Sequence, residues 1–466
     1  MWIVLDANSN IPLKKQLYMK IKQYILNGTV VSMQKLPSTR ALAKELSISR
    51  NTVLEVYDQL IAEGYLEGHH GSGTVVAAGI NKLPRNIGES RPPAAPKAGS
   101  GEKEVVDFRS GIPELEHFPR KEWARLYHGI LSEIPSSSLR YRNPGGVYEL
   151  REAISGYLFR TRGIVCSPDN IMIVAGSTQG LSLISRLLYG TGSFAAVEDP
   201  GHYGLRNVIS SAGYAITAVP ADDKGMRTDL LKPSANTAFV YTTPSHQYPL
   251  GGILPIQRRL SLVRYAADNN CYLIEDDYDS EFRYEGEPVN SLYELCPDRV
   301  IYLGSFSKIL APAVRLGFIL LPVRLRSDYG RLKMYTDIHT EVLSQYVLAE
   351  FIHNGGLEKY IWKMKKLYNR KRIHLLEEMN GRFPGEFEVR GQAAGLHLLM
   401  HFHNCRFTPE LLSQIQAGGV RVYPVEKFAL QHLGKHCNDI ILGYGHLSFP
   451  DITKGVEILG KILHGS

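Results

Sequence analysis

The sequence has few cysteines and no long apolar run. These two absences argue against a cysteine-bound metal centre and against a membrane protein. The five cysteines (166, 271, 296, 405 and 437) are scattered and form no Cys-x-x-Cys pair. We therefore expect buried, reduced thiols and no metal centre. No run of 18 apolar residues occurs, and the N-terminus lacks a basic region followed by a long apolar one. Both features predict a cytoplasmic protein without membrane contact.

Acidic residues are also scarce in one segment. Residues 11–52 hold eight lysines and arginines but one acid, Glu45, whereas residues 53–76 add four acids and no lysine or arginine. Such asymmetry favours a surface that meets phosphate groups, although a solvated basic face would look the same. At 466 residues, with 44% hydrophobic and 21% charged side chains, the chain is long enough for about three ordinary globular domains.

Residues 1–76 are predicted to form a winged helix-turn-helix. Apolar residues at helical spacing follow Pro12, Ser38 and Ser49, and residues 65–76 alternate like two short strands around a glycine-rich tip. The third helix is expected to turn four side chains inward: Val53, Tyr57, Leu60 and Ile61.

This head carries side chains suited to DNA. The N-terminus of the third helix would enter the major groove and offer base contacts from Ser49, Arg50, Asn51 and Thr52. The N-terminus of the second helix would hold a backbone phosphate through Ser38, Thr39 and Arg40. The wing would approach a groove through His69, Gly71 and Gly73. Taken singly, the serines could be simple caps and the glycines simple turns.

Two further regions follow the head. Residues 77–104 are rich in proline, glycine, alanine and charge without apolar periodicity, which indicates an extended linker. From residue 105 to 466, strand-like runs alternate with helical patterns, which indicates an α/β domain with a mostly parallel sheet. The clearest strands are 171–175, 194–197, 239–242, 271–274, 300–303 and 316–321. Sites in such sheets gather where the strands end.

One lysine beyond the strand 300–303 stands in a setting that suits covalent chemistry. Lys308 follows Ser305 and Ser307 and precedes Arg315 by seven residues. A lysine amine can form a Schiff base with an aldehyde cofactor, while hydroxyls and a guanidinium hold the cofactor's phosphate. A surface lysine is the plain alternative.

Three other strand ends add partners for such a cofactor. Ser177 and Thr178 open a strand–loop–helix that could hold a phosphate, and His202 or Tyr203 could stack on a flat ring. Asp276 could pair with a pyridine nitrogen and keep it protonated. Each motif alone would pass for a loop or a cap, but together with Lys308 they predict a cofactor site.

Two resemblances cover nearly the whole chain. Residues 11–76 resemble the GntR-type DNA-binding head, on the runs Pro-Ser-Thr-Arg-x-Leu-Ala, Ser-Arg-x-Thr-Val and Gly-x-Gly-Thr-x-Val. Residues 105–460 resemble fold-type I pyridoxal-phosphate aminotransferases, on Ala-Gly-Ser-Thr-Gln-Gly, Glu-Asp-Pro-Gly, Thr-Pro-Ser-His-Gln-Tyr-Pro and Ser-Phe-Ser-Lys. A chain with both parts is similar to the MocR subfamily of bacterial transcriptional regulators.

The resemblance implies a fold-type I domain with a smaller C-terminal subdomain and bound pyridoxal 5′-phosphate. In it, Lys308 would form the internal aldimine, Asp276 would meet the pyridine nitrogen, and Tyr278 would lie near the ring hydroxyl. The phosphate would be held by Ser177, Thr178, Ser305, Ser307 and Arg315. Tyr141 would reach across from a partner subunit, in a homodimer whose heads each pack against the other chain's large domain.

Two positions depart from the family pattern. His202 stands where the residue after Glu-Asp-Pro-Gly is usually tyrosine, so either His202 or Tyr203 could stack on the cofactor. Ile441 stands where aminotransferases commonly carry an arginine that grips the substrate carboxylate. An amino acid would then need another cation, with Arg206 and Lys427 as candidates.

These features predict a transcriptional regulator that binds operator DNA and senses an amine, an amino acid or pyridoxal phosphate itself. An active aminotransferase whose head controls its own gene is the alternative, which Ile441 disfavours. A scaffold without cofactor is a third, which Lys308, Asp276 and Arg315 disfavour. Chemistry in the regulator would be limited to exchange of amines at the cofactor or to a half-reaction.

Overall fold

The computed structural model describes residues 3–7, 9–69, 73–80, 105–287, 289–431 and 434–465. The chain divides into two compact units, residues 1–101 and 102–466. Gly71, the His69 side chain and residues 81–104 of the predicted linker lie outside the described part. No helix in that part is both long and apolar enough to cross a bilayer.

The first unit is a three-helix head with a hairpin. Helices α1 (Leu13–Leu26), α2 (Thr39–Leu46) and α3 (Arg50–Ala62) precede the antiparallel strands β1 (Leu66–His69) and β2 (Gly73–Val76). The Ser38 hydroxyl accepts from the Ala41 N–H at 3.2 Å, and the Ser49 hydroxyl accepts from the Thr52 N–H at 3.0 Å. Both helices of the motif therefore begin at a capping serine, and the predicted fold of the head is confirmed.

The prediction for α3 is wrong at one position. Val53, Val56, Tyr57 and Leu60 are at most 2% exposed, whereas Ile61 is 37% exposed. The inward stripe follows spacing of three, four and seven residues from Val53, which selects Val56 and leaves Ile61 at its edge.

The second unit alternates strands and helices before a C-terminal part. Its first elements are β3 (Val106–Asp107), α4 (Arg120–Glu133) and α5 (Tyr148–Arg162). The alternating part comprises β4 (Ile171–Val174), α6 (Ser177–Leu187), β5 (Phe194–Asp199), α7 (Tyr203–Ser211), β6 (Ala215–Asp222), β7 (Gly225–Met226), β8 (Thr237–Thr242), α8 (Ile256–Asp268), β9 (Tyr272–Asp277), α9 (Leu292–Leu295), β10 (Val300–Ser305) and β11 (Gly317–Leu320). The C-terminal part comprises α10 (Arg326–Asp337), α11 (Leu343–His353), α12 (Gly356–Arg382), β12 (Phe387–Arg390), β13 (His397–Phe402), α13 (Pro409–Ala417), β14 (Val420–Arg421), β15 (Tyr423–Pro424), β16 (Asp439–Gly443) and α14 (Phe449–His464).

The main sheet has the strand order β4-β11-β10-β9-β8-β5-β6-β7. Strands β10, β9, β8, β5 and β6 run parallel in neighbouring pairs, whereas β11 and β7 pair antiparallel. A smaller antiparallel sheet of β12-β13-β16-β15 belongs to the C-terminal part. This architecture confirms the predicted mostly parallel sheet with a smaller subdomain.

The central strands are buried on both faces, as their continuous apolar runs require. In β4, Ile171 and Ile173 pack into one core, while Met172 and Val174 pack into the core on the opposite face. Polar side chains enter this buried layer near the carboxyl ends of the parallel strands, which lie along one edge of the sheet. That edge carries the candidate cofactor site.

Candidate functional site

Lys308 follows β10 by three residues and points its amine at the segment that precedes α4. The Lys308 ammonium group donates to the Gly111 carbonyl oxygen. Burial lowers the pKa of Lys308, while the nearby carboxylates of Asp279 and Asp276 act in the opposite direction. A lowered pKa leaves more of the amine neutral near pH 7, which suits a lysine that attacks an aldehyde.

The acidic run at the end of β9 divides between the two faces of the sheet. Asp277 forms a salt bridge with Arg162 at 2.9 Å and accepts from the Tyr302 hydroxyl at 2.6 Å. Asp276 faces the other way, where the Tyr241 hydroxyl donates to Oδ2 at 2.5 Å. Alternation along the strand thus directs Asp276, not Asp277, toward the side that carries Lys308.

Asp276 keeps one carboxylate oxygen free. The residue is 3% exposed, and its Oδ1 is buried without a hydrogen-bond partner among the described residues. Burial raises the pKa of Asp276 to about 7, although the Tyr241 hydrogen bond opposes that rise. A buried acceptor without a donor suits a protonated pyridine nitrogen, which would supply the missing hydrogen. The residues present therefore fit pyridoxal phosphate.

The predicted phosphate residues come from two segments that β11 brings side by side. Strand pairing matches Ser305 with Gly317, and Gly317 in turn with Val174. The end of β10 therefore lies one strand away from the loop that opens α6. The Ser305 hydroxyl accepts from the Ser307 N–H at 3.2 Å at that end.

The loop between β4 and α6 also receives Arg315. This side chain donates to the Ala175 carbonyl oxygen, and a Cβ placed on Gly176 would lie 3.2 Å from its Nη2. Ser177 and Thr178 form the first turn of α6, where backbone N–H groups lack intrahelical partners and attract an anion. Glycine at 176, with φ +89°, leaves space for the guanidinium at this turn.

His202 and Tyr203 differ in how they face the site. The His202 ring caps α7, with Nδ1 accepting from the Leu205 N–H at 3.3 Å, and its centroid lies 5.4 Å from that of Tyr248. Although part of the ring is exposed, desolvation lowers the pKa of His202, and the charge of Lys308 lowers it further. Tyr203 is 55% exposed, and its ring lies parallel to that of His202 with the centroids 6.0 Å apart. This geometry favours His202 as the ring beside the cofactor.

The two predicted tyrosines occupy different surroundings. The Tyr278 hydroxyl donates to the His246 carbonyl oxygen at 2.9 Å, within the buried layer that holds Asp276 and Asp279. Tyr141 is 83% exposed, and its ring centroid lies 6.3 Å from that of His339. That exposure suits a side chain offered to a second subunit.

Several residues of the site escaped sequence reasoning. Tyr241 holds Asp276, and Tyr248 exchanges a hydrogen bond of 2.9 Å with Ser110, 138 residues away. His246 contacts both carboxylate oxygens of Asp279 at 3.1 Å. His246 and Tyr248 belong to the run Thr-Pro-Ser-His-Gln-Tyr-Pro, which carried the family resemblance but not their roles.

One cluster could hold a metal ion by its geometry. His246, Asp279 and His397 are buried and bring one ligand atom each to within 4.8 Å of the others. The His246–Asp279 hydrogen bond accounts for two of them without an ion, and burial lowers the pKa of His397 to about 3. The charge of Asp279 also opposes the lowering of the Lys308 pKa by burial.

In the head, the exposed start of α3 offers Arg50 and Asn51, and the start of α2 offers Arg40. Two lysines of the head form ion pairs within it, Lys14 with Glu55 at 2.5 Å and Lys22 with Glu63 at 3.0 Å. In the hairpin, Gly73 lies close to the Lys35 side chain, because a Cβ built on Gly73 would lie 2.8 Å from Lys35 Cε. The residues predicted to contact DNA from both helices are therefore exposed, apart from Thr39 and Thr52, which are half-buried.

Known proteins match both units of this chain. Residues 13–76 match the family described as bacterial regulatory proteins of the gntR family, and residues 103–437 match aminotransferase class I and II. The HTH-type regulator YdeL of Bacillus subtilis is 34% identical over 98% of this chain and 97% of its own length. The probable rhizopine catabolism regulatory protein MocR of Rhizobium meliloti is 31% identical over 98% of this chain and 95% of its own length.

A solved structure resembles the large unit. The kynurenine aminotransferase of Pyrococcus horikoshii, determined in complex with PMP, superposes with a TM-score of 0.71 and 27% identity, over 78% of this chain and 91% of that one. The chain therefore belongs to the GntR family of helix-turn-helix transcriptional regulators, with an aminotransferase class I and II domain of a kind that typically binds pyridoxal phosphate. Within that family it is a MocR-like regulator, and the predicted resemblance is confirmed.

Proposed function

We propose that this regulator binds pyridoxal 5′-phosphate through Lys308 and couples the state of that site to operator binding by a dimer in the cytoplasm. The observation that carries the proposal is the buried Asp276 Oδ1, which has no partner among the described residues and lies on the side of the sheet that holds Lys308. Asp276 would bind the pyridine nitrogen, Tyr278 would lie near the ring hydroxyl, and His202 would cover the ring. The phosphate would be held by Ser177, Thr178, Ser305, Ser307 and Arg315.

When bound, the cofactor supplies an aldehyde that condenses reversibly with a primary amine. The protein's own residues decide which amine gains access and what its occupancy does. Burial lowers the pKa of Lys308, and the Gly111 carbonyl oxygen accepts a hydrogen bond from its Nζ. Tyr241 fixes the Asp276 carboxylate in the orientation that a ring nitrogen needs. An effector amine, an amino acid or pyridoxal phosphate itself would then be the signal.

The proposed division of the chain is a DNA-binding head over residues 1–76, a linker over 77–104 and an effector domain over 105–466. DNA contacts would come from Ser49, Arg50, Asn51 and Thr52 in the major groove, and from Ser38, Thr39 and Arg40 on a phosphate. The wing would add His69, Gly71 and Gly73. Tyr141 would serve the partner subunit of a head-to-tail homodimer. A signal acts on operator affinity only if it favours one arrangement of the heads over another.

The test combines cofactor chemistry with DNA binding in the full-length protein. Operator fragments are titrated with protein that is free of cofactor, loaded with pyridoxal phosphate, and loaded and then exposed to a panel of amines. We expect the absorbance of the loaded protein to change with at least one amine, and the operator affinity to change at the same concentration. Steady turnover of amino donors and 2-oxo acids, with operator affinity unaffected, would contradict the proposal and favour an aminotransferase.

A further inference from the structure

The position at which aminotransferases commonly carry a carboxylate-binding arginine is occupied by Ile441 in this chain, and its surroundings are apolar. Ile441 on β16 is fully buried and packs in a cluster with Leu250, Leu399, Val425 and Phe428. Tyr248 and Tyr423 border the same cluster. Because Ile441 and Val425 are fully buried, the surface that this cluster can offer a ligand is its half-buried edge at Tyr248 and Tyr423, which we call the apolar wall. This wall suits the carbon chain of a ligand, but it has no charge to orient an acid group.

A second segment lies against the same strand and reaches Lys308. The Gly443 N–H, two residues beyond Ile441, donates to the Phe108 carbonyl oxygen at 2.8 Å. A Cβ on Gly443 would overlap the Arg109 carbonyl, so this backbone lies directly against β16. Ser110 hydrogen bonds to Tyr248 at 2.9 Å, and Gly111 accepts from Lys308. Residues 108–111 therefore bridge the apolar wall and the reactive amine.

Arg109 is the charged residue of this bridge. Its side chain is exposed and makes no hydrogen bond or ion pair with the described residues. Its charge nevertheless acts on Lys308, Tyr248 and Tyr423, which border the site. An unpaired guanidinium beside an apolar wall and a reactive amine is placed to bind an acid group.

Rival cations are less suited to that task. Arg206 is buried, and its charge is balanced by Asp199 at 3.7 Å, although its Nη1 makes no hydrogen bond with the described residues. The same Asp199 carboxylate accepts from the Leu430 N–H at 2.6 Å. Arg421 likewise pairs with Asp107 at 3.5 Å. Lys427 is exposed beside Phe428 and offers a single point charge without the planar fork of arginine.

We propose that Arg109 binds the acid group of the effector, and that the effector is a primary amine carrying a carboxylate or sulfonate. This inference rests on the proposed function, because the amine must meet a cofactor on Lys308. The acid group would lie at Arg109 and the carbon chain along the apolar wall of Tyr248 and Tyr423. Arg109, from the segment before α4, would thus take over the binding of the acid group from the arginine that aminotransferases commonly carry at the β16 position of Ile441.

The test measures binding of matched amines to cofactor-loaded, full-length protein. The probes are ω-amino carboxylates of three to six carbons, L-α-amino acids and 2-aminoethanesulfonate, each with the amine in which hydrogen replaces the acid group. Dissociation constants come from calorimetry, with the absorbance of the cofactor as a second readout. Wild-type protein should bind at least one acid-bearing amine about ten- to a hundredfold more tightly than its acid-free partner, as expected for a charge-assisted contact.

Three variants locate that preference. Arg109→Ala should abolish it while changing the affinity for the acid-free amine by less than about threefold, and Arg109→Lys should retain part of it. Lys427→Ala, the matched exposed cation, should leave it intact. A preference that survives in Arg109→Ala, or no acid preference in the wild type, overturns the inference.

Failure of the proposed function is recognised separately. Borohydride reduction of each loaded protein, followed by peptide mapping, reports whether Lys308 carries a pyridoxyl group. If Lys308 carries the pyridoxyl group in all proteins and Arg109→Ala keeps the preference for the acid-bearing amine, only the role of Arg109 is rejected. Absence of adduct in the wild type rejects the cofactor site and, with it, the role of Arg109.

Discussion

Replacement of Asp276 by asparagine tests the buried carboxylate that faces the candidate cofactor. The pKa of Asp276 is raised from 3.8 to about 7 in the folded chain, first because of burial. A carboxyl with a raised folded pKa favours the folded state while it is protonated, and this contribution is lost as pH rises through the folded pKa. The loss amounts to about 1.4 kcal/mol per pH unit between the two pKa values, or about 2 kcal/mol from pH 5 to pH 7.

Asparagine cannot ionise, so Asp276→Asn should remove about 2 kcal/mol of pH dependence from the stability of cofactor-free protein. Urea unfolding at pH 5 and pH 7 measures this difference, with tryptophan fluorescence as the signal, because Trp123 and Trp362 both lie in the large unit. The amide of the new asparagine could lack a hydrogen-bond partner, but this would change the free energy of unfolding equally at both pH values. The change in the free energy of unfolding between pH 5 and pH 7 is therefore the quantity that tests the prediction.

Glu275→Gln provides a matched control. Glu275 is fully buried on the opposite face of β9, and burial raises its pKa to about 7 as well. Both variants should flatten the pH dependence, but only Asp276→Asn should weaken pyridoxal phosphate binding, by about ten- to a hundredfold, because a charge-assisted hydrogen bond is lost. Equal cofactor affinity in the two variants would refute the placement of Asp276 at the ring nitrogen.

Three further outcomes are expected. Lys308→Ala should lose all borohydride-fixed pyridoxyl while retaining operator affinity in a gel-shift titration, and loss of folding would argue against a separable sensor. Arg50→Ala should weaken specific operator binding by about 1–3 kcal/mol, measured by fluorescence anisotropy against Lys14→Ala as control, and an unchanged Arg50 variant would move DNA recognition elsewhere. Arg162→Ala should lower the free energy of unfolding by about 3–5 kcal/mol, since it strands buried Asp277, and unchanged urea unfolding would contradict this.

Most of the fold could be predicted from local sequence patterns. Capping serines at 38 and 49 and apolar spacing predicted the head, and continuous apolar runs predicted the central strands of the sheet. The error at Ile61 arose because its spacing from Tyr57 also suits an inward face, and only packing against α1 and the hairpin selects Val56. Helical periodicity alone cannot make that choice.

Only part of the candidate cofactor site could be predicted, because some of its contacts join residues that are far apart in the sequence. Lys308, Asp276 and Arg315 stand in runs whose chemistry can be recognised one segment at a time. Tyr241 at Asp276, Ser110 at Tyr248 and the contact of residues 108–111 with β16 depend on long-range pairing, which no local run encodes. The separation of Asp276 from Asp277 follows from strand alternation once β9 is known to extend to Asp277.

The most direct measurement of the central claim is peptide mapping of the full-length protein after saturation with pyridoxal phosphate and borohydride reduction. A single pyridoxyl group on Lys308 is the expected result, because burial lowers the pKa of its amine and Asp276 lies on the same side of the sheet. A pyridoxyl group on another lysine, or none at saturating cofactor, would contradict it.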